Sequence, residues 1–149
     1  MHYRYSKIIR YNHNHNHHND YQTRKKYKFL YSKLIEYRIN NKPILQEDTT
    51  SQLHKHHVIP QCINPLNNKI VYLTDKEHCV AHYFLWMMTD MNKSNKSFLF
   101  GLNMYSAYKG LSVAFGVGPK KQIMKNYINN LIFKLKTDIN ALTPENNLV

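Results

Sequence analysis

Apolar residues first recur at helical spacing over about residues 25–39, which predicts an amphipathic helix. The apolar stripe consists of Tyr27, Leu30, Leu34 and Tyr37, with Phe29, Tyr31 and Ile35 beside it. The remaining surface carries Lys25, Lys26, Lys28, Lys33 and Arg38. Two asparagines and Pro43 follow and are expected to end the helix.

The pattern then changes to strand, loop, strand and helix. Short runs of β-forming residues predict strands at about residues 56–59 and 70–73, the first stopped by Pro60. Thr74 and Glu77 have the spacing of a capping box, in which each side chain bonds to the backbone amide of the other residue. A helix is therefore expected directly after the second strand, over about residues 75–90.

The C-terminal third predicts two more helices, at about residues 95–109 and 120–137, the second basic and amphipathic. A linker marked by Gly110, Gly116, Gly118 and Pro119 separates them. The expected fold class is α+β: a hairpin and helix form the core, and the rest is mostly helical. The expected segments are a His/Asn-rich basic extension at 1–24, a main domain at 25–112, and a linker with a basic helix at 113–149.

Charge directs attention to a polyanionic partner. The chain has 21 Lys and Arg against 9 Asp and Glu, a formal net charge of +12, which favours nucleic acid. No apolar run reaches membrane length, so no membrane association is expected. Cys62 and Cys79 do not form a CxxC pair, which is typical of a reduced intracellular compartment. The contiguous His/Asn tract at 12–18 is typical of low-complexity sequence and is not assigned a specific metal site.

Four histidines form the pattern that suggests chemistry. His78 and His82 are four residues apart, so on a helix they stack on one face and suit a divalent metal. His56 and His57 are strand neighbours and point to opposite sides, so one can face the metal and the other a substrate. Three histidine ligands leave coordination positions open, as a catalytic site requires. The fourth imidazole suits proton transfer near neutrality.

The two segments HHVIP and LTDKEHCVAH, in this order and separated by a short loop, resemble the HNH (ββα-metal) endonucleases of the phage and intron homing type. The resemblance covers about residues 27–110. It implies hydrolysis of duplex DNA with one divalent ion, Mg²⁺ first and Zn²⁺ or Mn²⁺ as alternatives. It also implies His56, His78 and His82 as metal ligands and His57 as the general base. The helix start at Thr74 and Glu77 would lie near the phosphate, and the basic segments with Lys25, Lys26, Lys28, Lys120 and Lys121 would hold the DNA backbone.

The chain departs from the family pattern at one position that bears on activity. The family usually has an asparagine that steadies the general base, where this sequence has Lys69. A one-residue shift would let Asn68 take that place; otherwise the base is poorly oriented. Three hypotheses follow: an active endonuclease, a catalytically weakened DNA-binding protein or component of a nucleoprotein assembly, and a structural zinc domain. A structural zinc site has no use for His57, which argues against the third. The target sequence and the oligomeric state stay open.

Overall fold

The computed structural model describes residues 20–40, 44–45, 52–60, 69–113 and 119–148. The described elements are α1 (Tyr21–Ile39), β1 (Leu53–His57), β2 (Ile70–Thr74), α2 (Asp75–Met87), α3 (Asn95–Ser112) and α4 (Pro119–Leu148). The expected α+β class, mostly helical with one two-stranded sheet, is confirmed. Within these ranges, no helix is both long enough and apolar enough to cross a membrane.

Helix α1 begins where Asp20 caps it, accepting a hydrogen bond of 2.7 Å from the backbone amide of Thr23. Its apolar stripe faces the core, as predicted, but two positions differ from expectation. Phe29 is 45% exposed, whereas Arg38, expected on the basic outer surface, is 8% exposed. Arg38 lies on the same face of the helix as Tyr27 and Leu34, and it is buried there because it has an acidic partner inside the protein.

The hairpin is antiparallel, with His56 opposite Val71 and Leu53 opposite Thr74. The predicted bounds of the first strand, 56–59, were wrong, since β1 begins three residues earlier, at Leu53, and ends at His57. Pairing with the full length of β2 fixes these bounds, and cross-strand pairing is not visible in a local pattern. Beyond β1, the Val58 amide still donates to the Lys69 carbonyl over 3.0 Å, which extends the ladder by one bond.

Helix α2 starts at the predicted capping box. The Glu77 amide donates to Thr74 Oγ1 over 3.1 Å, and the Thr74 amide donates to Glu77 Oε1 over 2.9 Å. The capping box makes the passage from β2 into α2 abrupt, so the helix follows the strand without a connecting loop. Buried side chains such as Val80, Phe84 and Leu85 place α2 at the centre of the core, between α1 and α3.

Helix α3 packs along α2 and is longer than predicted. Gly110, expected to open a linker, lies inside α3. A Cβ at Gly110 would meet no heavy atom within 4 Å, and its backbone is helical. Neither a close contact nor a turn therefore requires a glycine at this position. Aromatic rings join the two helices, with the centroids of Trp86 and Tyr105 4.8 Å apart. Helix α4 begins at Pro119, close to the predicted start, and continues to Leu148.

A buried ion pair connects α1 to the start of α2. Arg38 Nε donates to Glu77 Oε1 over 2.7 Å, and the two side chains are 7% and 0% exposed. The same carboxylate oxygen accepts the Thr74 amide of the capping box. Removing one member of such a pair leaves the other charge buried without compensation, which is far costlier than losing a surface pair.

We expect Arg38→Met to lower the free energy of unfolding by about 3–5 kcal/mol, because it strands the Glu77 carboxylate in the core. The double variant Arg38→Met/Glu77→Gln should recover most of this loss, since the glutamine amide is neutral and its oxygen can still accept the Thr74 amide. Urea unfolding followed by circular dichroism measures both values.

Lys33→Met, on the same helix, is the matched control. It breaks a more exposed ion pair, Lys33 Nζ to Glu36 Oε2 at 3.3 Å, and should cost no more than about 1 kcal/mol. A loss for Arg38→Met no larger than that of the control would show that the buried pair contributes nothing special.

Candidate metal centre

Three histidines from two elements converge at one point. His56 comes from β1, and His78 and His82 come from successive turns of α2. Each offers one ring nitrogen such that the three atoms lie within 4.8 Å of one another. Tetrahedral or octahedral ligands at ordinary metal–nitrogen distances of about 2.0–2.1 Å are about 3–3.5 Å apart. The three nitrogens are therefore near enough to share one ion after the rings move closer together.

The two helical histidines face each other through matching atoms. His82 Nε2 lies 3.2 Å from His78 Nε2, and their ring centroids are 5.0 Å apart. The His56 ring is 5.3 Å from that of His78 and 5.2 Å from that of His82. The Nδ1 atoms of His78 and His82 are buried without a hydrogen-bond partner in the described part of the chain. Two imidazoles directed at each other in this way fit a shared cation, because each can supply a lone pair from Nε2.

Burial holds the triad in the form that binds metal. Burial first, then the neighbouring His82, His78 and His57, lower the pKa of His56 to about 3. Burial first, then His78, lower the pKa of His82 to about 4. The pKa of His78 is also lowered, by burial and then by His54. Each imidazole is consequently neutral at neutral pH, and the triad as described contains no carboxylate.

His57 lies on the other face of the hairpin from His56, as strand alternation predicts, and is partly exposed. No described residue forms a hydrogen bond with its imidazole. His57 pairs with Ile70 across the hairpin. Lys69, which directly precedes Ile70, is exposed, and its carbonyl accepts the hydrogen bond from the Val58 amide. Asn68, the alternative support for His57, lies outside the described residues.

The other expected site residues have clear positions. Thr74 and Glu77 are both 0% exposed and form the start of α2, immediately before His78, so they position the helix and offer no exposed polar group. The exposed lysines of α1 are Lys25, Lys26 and Lys28. Lys120 and Lys121 belong to the first turn of α4, and their side chains lie outside the described part of the structure.

Two side chains near the triad were not anticipated from the sequence as site residues. The hydroxyl of Tyr31, from α1, lies 2.9 Å from His56 Nε2. The ring of His54 meets that of His78 edge to face, with centroids 5.6 Å apart. His54 shares a strand face with His56, which alternation alone would have indicated. Tyr31 gives no such signal, because it lies within an apolar stripe and its partner is 25 residues away.

The comparisons with known proteins leave this geometry as the basis for assigning a function. No family model, no curated protein and no solved structure matches the chain.

Proposed function

We propose that this protein is a metal-dependent endonuclease of the ββα-metal type that hydrolyses phosphodiester bonds in duplex DNA. The observation that carries the proposal is the convergence of His56, His78 and His82 from a hairpin strand and the helix that directly follows it. The net charge of +12 supports a polyanionic substrate. The resemblance of HHVIP and LTDKEHCVAH to HNH endonucleases points the same way.

In this proposal the chain's residues divide the work by strand face. His56, His78 and His82 would hold one divalent ion, which supplies charge neutralisation for the phosphate and for the departing oxygen. His57, on the opposite face of the same strand, takes a proton from water as the general base. The α2 N-terminus, capped by Thr74 and Glu77, adds its dipole near the phosphate. Exposed lysines of α1 bind the DNA backbone.

The donor set bears on which ion is bound. Imidazole nitrogens suit Zn²⁺ and related transition metals, whereas Mg²⁺ prefers oxygen ligands and sheds its water reluctantly. Three nitrogens and no carboxylate in the described cluster thus favour Zn²⁺ over the Mg²⁺ expected from the resemblance. Phosphate and water oxygens would fill the remaining positions.

Lys69 favours a second candidate function, a DNA-binding protein with reduced turnover. It stands where the HNH endonucleases that this sequence resembles have the asparagine that orients the general base. Its carbonyl is committed to the Val58 amide at the end of the hairpin, and none of the described residues holds the His57 imidazole in place. A general base that no neighbouring side chain orients would lower the rate while leaving DNA binding intact.

We expect the purified protein to nick supercoiled plasmid in the presence of a divalent ion and His57→Ala to lose about 10²-fold or more of that rate, since general-base catalysis contributes at least this much. Nicking is followed on agarose gels with Mg²⁺, Mn²⁺ and Zn²⁺ in parallel. Lys55→Ala is the matched control, because Lys55 lies two residues earlier on the same strand face as His57 and has no role in the proposed chemistry.

The opposite results separate the candidates. Nicking by His57→Ala at the wild-type rate would contradict the assignment of His57 as the general base. Tight DNA binding without nicks in any of the three ions would leave the second candidate, the DNA-binding protein, in place of the endonuclease.

We expect Zn²⁺ affinity to fall less than about threefold between about pH 7.5 and about pH 6, because burial lowers the pKa values of the ligands. A lowered pKa keeps an imidazole neutral to lower pH, so protons compete with the metal only in more acidic solution. Three imidazoles at the ordinary value near 6.5 would lose about fiftyfold over the same range. Calorimetric titration measures the affinity.

The His/Asn tract at 12–18 contains histidines of its own, so the contribution of the triad is the difference between the wild type and His82→Gln. Equal Zn²⁺ binding by the two proteins would contradict the metal centre, and a fiftyfold loss for the triad would contradict its neutrality.

We expect the triple variant Lys25→Gln/Lys26→Gln/Lys28→Gln to weaken DNA binding and to reduce the slope of log affinity against log salt by about 2–3, since each phosphate contact contributes about 0.9. Fluorescence anisotropy with a duplex at several salt concentrations gives the slope. The control removes the same charge from three other exposed lysines, Lys93, Lys96 and Lys109. An equal change in the control would show that net charge, and not α1, binds the DNA.

A further inference from the structure

The Tyr31 hydroxyl lies between two fixed groups of the hairpin. It is 2.9 Å from His56 Nε2 and 2.8 Å from the Val58 carbonyl oxygen. Tyr31 is 7% exposed, so this contact lies within the protein. The Val58 peptide is itself held, because its amide donates to the Lys69 carbonyl over 3.0 Å. The hydroxyl therefore contacts an acceptor whose position the hairpin fixes.

A phenol has one proton to donate, and these contacts determine where it goes. The Val58 carbonyl can only accept, and two oxygens 2.8 Å apart with no hydrogen between them would repel. The proton of Tyr31 therefore points at Val58. The hydroxyl oxygen is left as an acceptor for His56.

His56 must then carry its own proton on Nε2, where it donates to Tyr31. A neutral imidazole has one N–H, so Nδ1 is left with the lone pair. The helical histidines differ, since their Nε2 atoms face each other and their buried Nδ1 atoms have no partner in the described part of the chain. Of the three ligands, His56 is the one with a described hydrogen-bond partner outside the triad.

We infer that Tyr31 is a positioning residue for the metal centre: it fixes His56 as the Nε2–H tautomer and leaves Nδ1 as the atom that binds the ion. The inference rests on the metal centre of the proposed function and adds to it the ligand atom and the group that selects it. Outer partners of this kind orient metal-bound histidines and raise their basicity. The outer partner here is Tyr31 of α1. This helix therefore contributes a residue to the site that its apolar sequence pattern does not indicate.

The tautomer is measured directly by ¹⁵N NMR of the histidine-labelled full-length chain without metal, because protonated and unprotonated ring nitrogens have well-separated shifts. The chain has 10 histidines, and the spectrum of His56→Gln identifies the signal of His56 by its absence. We expect a proton on Nε2 and a lone pair on Nδ1. A proton on Nδ1 would overturn the inference, and this measurement needs no variant of Tyr31.

The second measurement compares Tyr31→Phe with Tyr27→Phe. Tyr27 is a control on the same helix with 8% exposure, and its ring packs on Tyr83 and Phe84 and not on a histidine. Tyr31→Phe should populate both tautomers of His56. It should also reduce the Zn²⁺ affinity of the triad by about tenfold or more compared with the wild type, after the binding that remains in His82→Gln is subtracted from both. Tyr27→Phe should change neither.

The outcomes separate the inference from the proposed function. Wild-type Zn²⁺ binding with an unchanged tautomer and affinity in Tyr31→Phe overturns the role of Tyr31 and leaves the metal centre intact. Failure of the wild type to bind Zn²⁺, Mn²⁺ or Mg²⁺ at the triad overturns both the metal centre and Tyr31's role in it. Metal binding without nicking would contradict the proposed endonuclease activity, and the tautomer and affinity measurements would then still decide the role of Tyr31.

Discussion

The buried carboxylate of Glu77 is the group on which the arrangement of the site depends. One of its oxygens accepts both the Thr74 amide at 2.9 Å and Arg38 Nε at 2.7 Å. It therefore joins the end of β2, the start of α2 and the end of α1 at one point. His78 is the next residue, and His82 follows one turn later. Because a carboxylate without a partner is very costly inside a protein, these two contacts stabilise the direction in which α2 leaves the hairpin.

Helix α1 makes a second contact about two turns before Arg38, where Tyr31 reaches His56 and Val58. The two contacts act on different elements, since Arg38 holds α2 and Tyr31 holds β1. A metal centre whose ligands come from a strand and a helix requires a fixed distance between those two elements. The pairing of β1 with β2, which leads directly into α2, sets this distance from one side, and α1 contacts both elements from the other.

What the sequence could predict follows from the range of the interactions. The capping box of Thr74 and Glu77 and the facing pair His78 and His82 span three or four residues, and both are found as expected. The bounds of β1 depend on pairing with β2 across a loop, so the predicted strand was displaced. Arg38 was placed on the outer surface because a charged residue is usually exposed; its burial depends on an acid 39 residues away. The grouping of His56 with His78 and His82 could be predicted, because it combines a local helical pair with the alternation of side chains along a strand. The contact of the Tyr31 hydroxyl with His56 could not, because it depends on the tertiary structure.

Burial of the triad has two physical consequences that act in opposite directions. It lowers the pKa values of His56 and His82 to about 3 and about 4, so these imidazoles stay neutral at neutral pH. It also leaves the Nδ1 atoms of His78 and His82 without a partner among the described residues, and an unsatisfied buried polar group costs about 1–3 kcal/mol. A core built for stability alone would place apolar side chains there, as it does at Val80 and Phe84 on the same helix. Binding an ion through Nε2 to the folded state only would stabilise that state, so a bound ion would offset part of the cost of burying the triad without satisfying the Nδ1 atoms.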